Sequence, residues 1–415
     1  MRKNFWREIS FFLFLLVALN LESLAIEQSF FKREIAFSPL AEKLFSFIEK
    51  NREKIIEEWI YLTEIPAPSG HEEKRAAYMK DQFRTLGLEE VSVDPAGNVI
   101  GIWKGTGQRK EILVSAHMDT VFQGVFEIKV KREGNFLKAP GIGDDTASLI
   151  NLLWSIRALK EAGFEPKNTY YFLATVGEET GLKGMEAFLD SSKDKPDLVI
   201  ALDGDLGEVH YGALGFGGGR IIFRGPGAHT MQSKGVANPN LAVAKAIEQI
   251  YKIQLPSEPV EKWTVLNIGV IKGGRVQNAV SEESSFTLDL RSADQGELEK
   301  AQNEVRKICQ EIARQEGVEV DIKLNENSKA RQIPGGRDSY FVKTVVDILE
   351  FLKVRDIKVN PFGSTEANAA LERGILSLNL GRTYGRYKHS LNEEASIEGL
   401  FLAQKQILLL LLSLN

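Results

Sequence analysis

Residues 111–148 constrain the fold more than any other stretch: they run EILVSAHMDT and then, after an intervening segment, APGIGDDTAS. Residues 112–116 are a short apolar run of the kind that forms a parallel strand buried on both faces, and His117 and Asp119 stand where that strand would emerge at its carboxyl end. Open α/β sheets place their sites along that edge. An imidazole suits Zn²⁺, and a carboxylate two residues on can hold the second ring nitrogen, fixing tautomer and ring direction. Asp144 and Asp145 follow a Gly-Ile-Gly turn and precede a run with helical spacing, so one of the pair can bridge two cations. The stretch reads as half of a two-metal site.

The same unit recurs along the chain. After a helical pattern over 146–162, TYYFLATVG is another apolar strand and ends in Glu178-Glu179; the helix KGMEAFLDSS and the strand DLVIALDG then put Asp203 at a strand end. Upstream, one helical pattern covers 38–62 and another runs from His71 to about Leu86, where Gly87 closes it as a C-cap would; VSVDPAGNVIGIWKG reads as a hairpin turning at 94–98. The rhythm changes at Tyr211. Between Gly215 and Ser328 the order is strand, helix (240–253), strand, strand, helix (297–315), strand, which is the βαββαβ order of a ferredoxin-like unit. Helical patterns over 338–352 and 396–412, with a strand at 375–380, restore the α/β rhythm, and His389 lies in the loop before the last helix. The expected fold class is therefore α/β: a domain in two parts, 26–210 and 329–415, carrying a two-metal site and interrupted at 211–328 by an inserted smaller domain.

Composition narrows the partners. The formal charge of −5 comes from 52 basic and 57 acidic residues mixed along the chain, so no basic stripe points to nucleic acid. Cys309 is the single cysteine and, between Ile308 and Ile312, reads as a helix core position and not as a reactive thiol. The first 25 residues read as a secretory signal: Arg2, Lys3 and Arg7, then an apolar core over 9–21, then Ser23-Leu24-Ala25 as cleavage site. Cleavage near Ala25 would release an exported protein, periplasmic or extracellular; an uncleaved N-terminus anchoring it to the membrane is the alternative. The leucine run at 408–412 follows Gln404, Lys405 and Gln406 and reads as a core-packed final helix.

The ordered set HMDT, GDD, GEE, LDGD and KHSLNE resembles the M20 family of co-catalytic zinc metallopeptidases over nearly all of the mature chain, domain insertion included. The resemblance implies that His117, Asp144 and Asp203 hold metal with Asp144 bridging, that Glu179 and His389 complete the two shells, and that Asp119 orients His117. It further implies Glu178 as general base, a cis peptide between Asp144 and Asp145, and a lid that brings His229, Asn278 and Arg291 to the substrate. The resemblance implies a phosphorylase/hydrolase-like α/β catalytic domain with a co-catalytic metal site, two Zn²⁺ per chain with Mn²⁺ or Co²⁺ as alternatives, and an inserted lid/dimerisation domain at 211–328 that makes a homodimer contact through an exposed edge strand such as 220–224 or through a helix face. Plainer readings stand beside these. His71 and His210 read as ordinary surface or core histidines, Asp144-Asp145 alone could cap a helix, and Arg291 could be a surface partner of Asp289. A glutamate pair is usually a solvated helix face, but straight after YYFLATVG its charge would be buried, which is costly without a cation.

The implied activity is hydrolysis of amide bonds in short peptides, of exopeptidase or di-/tripeptidase type, by a water shared between the metals with Glu178 taking its proton. Arg291 could grip a terminal carboxylate by its planar fork, and an aspartate at 203 favours the peptidases of the resembled family over its deacylases. An N-acyl amino acid deacylase on the same site is the alternative, and a non-catalytic binding protein a third class. Two departures are visible: Ser364-Thr365-Glu366 stands where the family often has an aspartate, and the basic loop 382–386 suggests an acidic substrate.

Overall fold

A computed structural model describes residues 29–107, 110–192 and 195–415; the secretory-signal reading of 1–25 lies outside them. Eight strands form the main sheet in the order Glu89–Val93, Val99–Trp103, Thr169–Thr175, Glu111–His117, Leu198–Leu202, Leu376–Leu380, Glu208–His210, Lys358–Asn360. The four strands from Thr169–Thr175 to Leu376–Leu380 are mutually parallel, while the Glu89–Val93/Val99–Trp103 hairpin extends one side antiparallel.

The apolar runs account for the parallel centre, because side chains alternate between two buried faces. Ile112, Val114, Ala116, Tyr170, Phe172 and Ile200 join the larger core under the Thr146–Glu161, Tyr340–Phe351 and Ile397–Leu414 helices. Leu113, Leu173 and Val199, one residue out of step, pack with Met185, Phe188 and Ala369 from the helices Lys183–Ser191 and Glu366–Glu372 on the opposite face. Each fully buried Leu, Ile or Phe contributes about 1.5–3 kcal/mol, so a one-residue slip of these strands would exchange both cores at once. Ile397–Leu414 is long and apolar enough to cross a membrane, yet it is 67% buried inside the protein. It is a core helix, as its sequence suggests.

Residues 215–328 build a second, antiparallel sheet in the order Thr264–Gly273, Glu283–Ser292, Gly215–Arg224, Glu319–Ser328. The helices Pro239–Ile250 and Gln295–Glu316 cover one face over a separate core that includes Phe223, Phe286, Leu290 and Cys309. Burial pushes the Cys309 thiol up to about 12. The βαββαβ order puts its first strand in the interior, paired on both sides, so residues 220–224 are not the exposed edge expected from the sequence. The edges are Thr264–Gly273, where Val265, Val270 and Ile271 are exposed, and Glu319–Ser328. The two crossings into this body lie side by side, Gly212–Ala213 pairing with Arg331–Gln332.

One helix expected over 38–62 is two, Pro39–Lys50 and Arg52–Thr63. The break falls at Asn51, which closes the first helix with both its backbone N–H and its side-chain amide donating to the Phe47 carbonyl, at 3.2 and 2.8 Å.

Candidate metal centre

The carboxyl ends of the four parallel strands meet at one edge. His117 ends the first and Asp119 follows; Glu178 and Glu179 leave the turn after Thr175; Asp203 follows Leu202; Gly381 and Arg382 follow Leu380. Asp144 and Asp145 come from the turn ahead of the Thr146–Glu161 helix, joined by a cis peptide bond as the resemblance implies. Asp145 occupies the cap position of that helix without capping it; its Oδ2 accepts instead from the His117 backbone N–H at 3.0 Å.

Three groups of ligand atoms result, each with its members within 4.8 Å of one another: His117, Asp144, Asp145 and Asp203; His117, Glu178 and Glu179; and Asp144, Glu179 and His389. Asp144 links the first and the last. Its Oδ1 lies 3.1 Å from His117 Nε2 and its Oδ2 lies 3.3 Å from His389 Nε2, which is also 3.2 Å from Glu179 Oε1. His117 is oriented from behind, since its Nδ1 sits 3.1 Å from the Asp119 carbonyl oxygen and 3.4 Å from Asp119 Oδ1. A proton on Nδ1 leaves Nε2 as a ligand atom. Asp119 also accepts from Ser69 Oγ at 2.7 Å and from the backbone N–H groups of Glu178 and Glu179 at 2.9 and 3.1 Å, so one carboxylate sets the positions of both glutamates.

The electrostatics fit a cation. Burial pushes Glu179 up to about 7, with the Asp144 charge adding. Burial likewise raises Glu178 well above the carboxylate range, His117 pulling back while Asp203 and Glu179 add. His389 is raised to about 9, chiefly by its hydrogen bond to Asp144. Asp145 Oδ1 and Glu179 Oε1 are buried oxygens that accept no hydrogen bond among the described residues. Two imidazoles, a carboxylate common to two groups, and buried carboxylate oxygens that accept no hydrogen bond form a donor set suited to two divalent ions.

Four contributors to this edge were not legible in the sequence. Glu393, within KHSLNEE, accepts from the backbone N–H groups of Gly141, Gly143 and Asp144 at 2.9, 3.0 and 2.8 Å and so moulds the turn that presents Asp144. Ser69 holds Asp119, and Glu366 is buried close enough for its charge to raise Glu178. Arg382 is the fourth. Read as part of a basic loop facing substrate, it is instead 1% exposed and paired with Asp203, with Asp144 at 3.2 Å and with Asp145 at 3.4 Å. At the other end of the loop Arg386 stacks over Phe136, and just beyond it Lys388 lies 3.2 Å from Asp205.

The other expected residues stand apart. His229 and Asn278 are exposed neighbours on a small ribbon, where Thr230 N–H donates to the Asn278 carbonyl at 3.0 Å and His229 Nδ1 accepts from Met231 N–H at 3.3 Å. Arg291 is exposed, paired with Asp289 at 3.0 Å and lying over the Phe216 ring. Among the described contacts, none ties these three to the carboxylate cluster. His71 is exposed against Phe126, and His210 is half-buried beside Asn379; neither joins the cluster.

Comparison with known proteins places this geometry. The sequence profile of Peptidase family M20/M25/M40 matches residues 113–412. The aminopeptidase PepT of Bacillus cereus ATCC 10987 superposes with a TM-score of 0.77 at 26% identity, covering 88% of this chain and 98% of that one. A Bacillus subtilis protein described as a dinuclear metal-binding peptidase of the M20 family shares the fold, with a TM-score of 0.67 at 17% identity over 88% of this chain and 98% of that one. Carboxypeptidase G2 of Pseudomonas sp. (strain RS-16) is 25% identical over 311 residues, 70% of this chain and 72% of that protein.

Proposed function

The chain belongs to Peptidase family M20/M25/M40 and is a hydrolase, and from that premise we propose that it cleaves amide bonds of short peptides at a free end, using two divalent cations, Zn²⁺ foremost. The observation that carries the proposal is the sharing of Asp144 between the His117/Asp203 group and the Glu179/His389 group. His117, Asp144 and Asp203 would hold one cation, and Asp144, Glu179 and His389 the other. Cations so placed supply Lewis-acid polarisation of the scissile carbonyl and lower the pKa of water toward about 7.

The protein's own groups do the rest. Glu178 sits in the same turn as Glu179, close to the cluster, and is the base that takes the proton of the attacking water and hands it to the leaving amine. Its burial favours the protonated form it must reach in mid-reaction. Asp119 keeps both glutamates and His117 in register. From the inserted domain, His229 would donate to the developing oxyanion, with Asn278 and Arg291 contacting the rest of the substrate. PepT, an aminopeptidase, supports the peptide reading. Carboxypeptidase G2 leaves the choice of peptide end to experiment. Export after cleavage near Ala25 and a homodimer through residues 211–328 complete the proposal, the dimer resting on the exposed Val265, Val270 and Ile271 of an edge strand.

The test is a panel of dipeptides, tripeptides and N-acyl amino acids offered to chelated protein and to protein reloaded with Zn²⁺, Mn²⁺ or Co²⁺. Metal-dependent release of a terminal residue from the peptides is expected. Turnover confined to N-acyl amino acids would replace the peptidase by a deacylase, and no turnover of either class would refute both.

A further inference from the structure

The metal centre contains a cation of its own. Arg382 is held rigidly: its backbone N–H donates to the Gly204 carbonyl at 3.1 Å and its carbonyl accepts from Asn151 Nδ2 at 2.9 Å. The preceding Gly381 packs so closely on the Asp203–Asp205 loop that a Cβ there would lie 1.8 Å from the Asp205 carbonyl oxygen. The guanidinium is thereby fixed in the interior, against Asp203 Oδ1, Asp144 Oδ2 and Asp145 Oδ1. Three carboxylates gathered inside a protein repel one another and lose their hydration, and a positive charge among them offsets both costs. All three stand in the group of ligand atoms that includes His117, and Asp144 and Asp203 are the two that the two-cation reading assigns to the cation beside it. The same carboxylates are therefore claimed twice.

We propose that Arg382 is a built-in counter-cation that competes with the metal ion for Asp144 and Asp203, loosening the hold on that ion while keeping the carboxylates together when it leaves. The inference rests on the two-cation reading of the site and adds to it a residue that tunes exchange at one position. If guanidinium and metal ion compete, the thermodynamic cycle fixes two signs together: removing Arg382 tightens metal binding, and it destabilises chelated protein more than loaded protein. A residue that merely oriented the ligands would give the opposite sign of binding.

The experiment takes the full chain as wild type, Arg382→Met and Arg382→Lys. Each is chelated, then titrated with Zn²⁺ and with Mn²⁺ against a chromophoric competitor, and its Tm is measured in both states. Arg382→Met should bind its metal about tenfold tighter or more, on the scale by which groups around metal ligands alter affinity, and the Tm gap between loaded and chelated protein should widen. Arg382→Lys keeps the charge without the fork and should fall between. Weaker binding by Arg382→Met, or an equal Tm loss in both states, would overturn the inference. Should chelated Arg382→Met fail to fold, the Arg382→Lys titration decides, and affinity no higher than wild type overturns it. A wild type that takes up neither ion would fail the two-cation reading itself, before any variant is compared.

Discussion

Exchanging Glu178 and Glu179 in turn for glutamine separates proton transfer from metal holding. Both residues leave one turn, and both have their backbone N–H groups on the two oxygens of Asp119, at 2.9 and 3.1 Å. Glutamine at either position keeps the volume and leaves those bonds intact. Their side chains differ in company: Glu179 Oε1 lies 3.2 Å from His389 Nε2 within the group that includes Asp144, whereas no described hydrogen bond reaches the Glu178 carboxylate. Glu178→Gln should therefore fold and retain its metal while losing the base. General-base catalysis contributes typically about 10²–10⁴ in rate, equivalent to about 3–5 kcal/mol of barrier. In Glu179→Gln one oxygen ligand becomes a weaker amide, and metal affinity should drop with activity. The assay is kcat and KM on a cleaved tripeptide, together with metal per chain by mass spectrometry after desalting. Equal metal loss in the two variants, or a Glu178→Gln enzyme within about threefold of wild-type kcat against that expected loss, would refute the division of labour.

Glu393→Ala strands three backbone donors in the interior, each costing about 1–3 kcal/mol, so urea unfolding should show a loss of about 3 kcal/mol or more; Glu393→Gln, which can still accept, should lose less. His229→Ala should lower kcat by about 10² with a smaller change in KM if the ribbon delivers an oxyanion donor, and an unchanged kcat would leave the inserted domain as a binding surface only. Amino-terminal sequencing of native protein should begin near Ile26, and Met1 retained in a soluble cytosolic fraction would sink export.

What the sequence made legible was whatever repeats locally. Residues 112–116, 170–174 and 198–202 are apolar on both faces, and the groups that follow each run fall at one sheet edge because parallel strands share a direction. The rank of a strand within its sheet is not local. Residues 220–224 read as an edge strand and proved interior, since a strand first in the chain pairs on both sides in the βαββαβ arrangement. Asp145 likewise sits where a helix cap is expected, but its carboxylate is claimed by groups far along the chain, Oδ2 by the His117 N–H and Oδ1 by Arg382.

Arg382 marks the same limit in its sharpest form. Sequence reports the charge of the 382–386 loop but not the direction each side chain takes, and an arginine beside Tyr384, Gly385 and Arg386 looks like surface. Its direction is set by Gly381 lying against Asp205, and by bonds to Gly204 and Asn151 from distant parts of the chain. Once turned inward, the guanidinium changes what the strand edge is. Three parallel strand ends deliver His117, Glu178 with Glu179, and Asp203, groups that attract a cation, while the fourth delivers a cation. A site of carboxylates alone would be costly to fold before metal arrives; one with a fixed guanidinium can assemble first and bind afterwards, at some expense in affinity. That ordering gives Arg382 a part in the site apart from the ligands themselves: it holds Asp144, Asp145 and Asp203 together before a metal ion arrives.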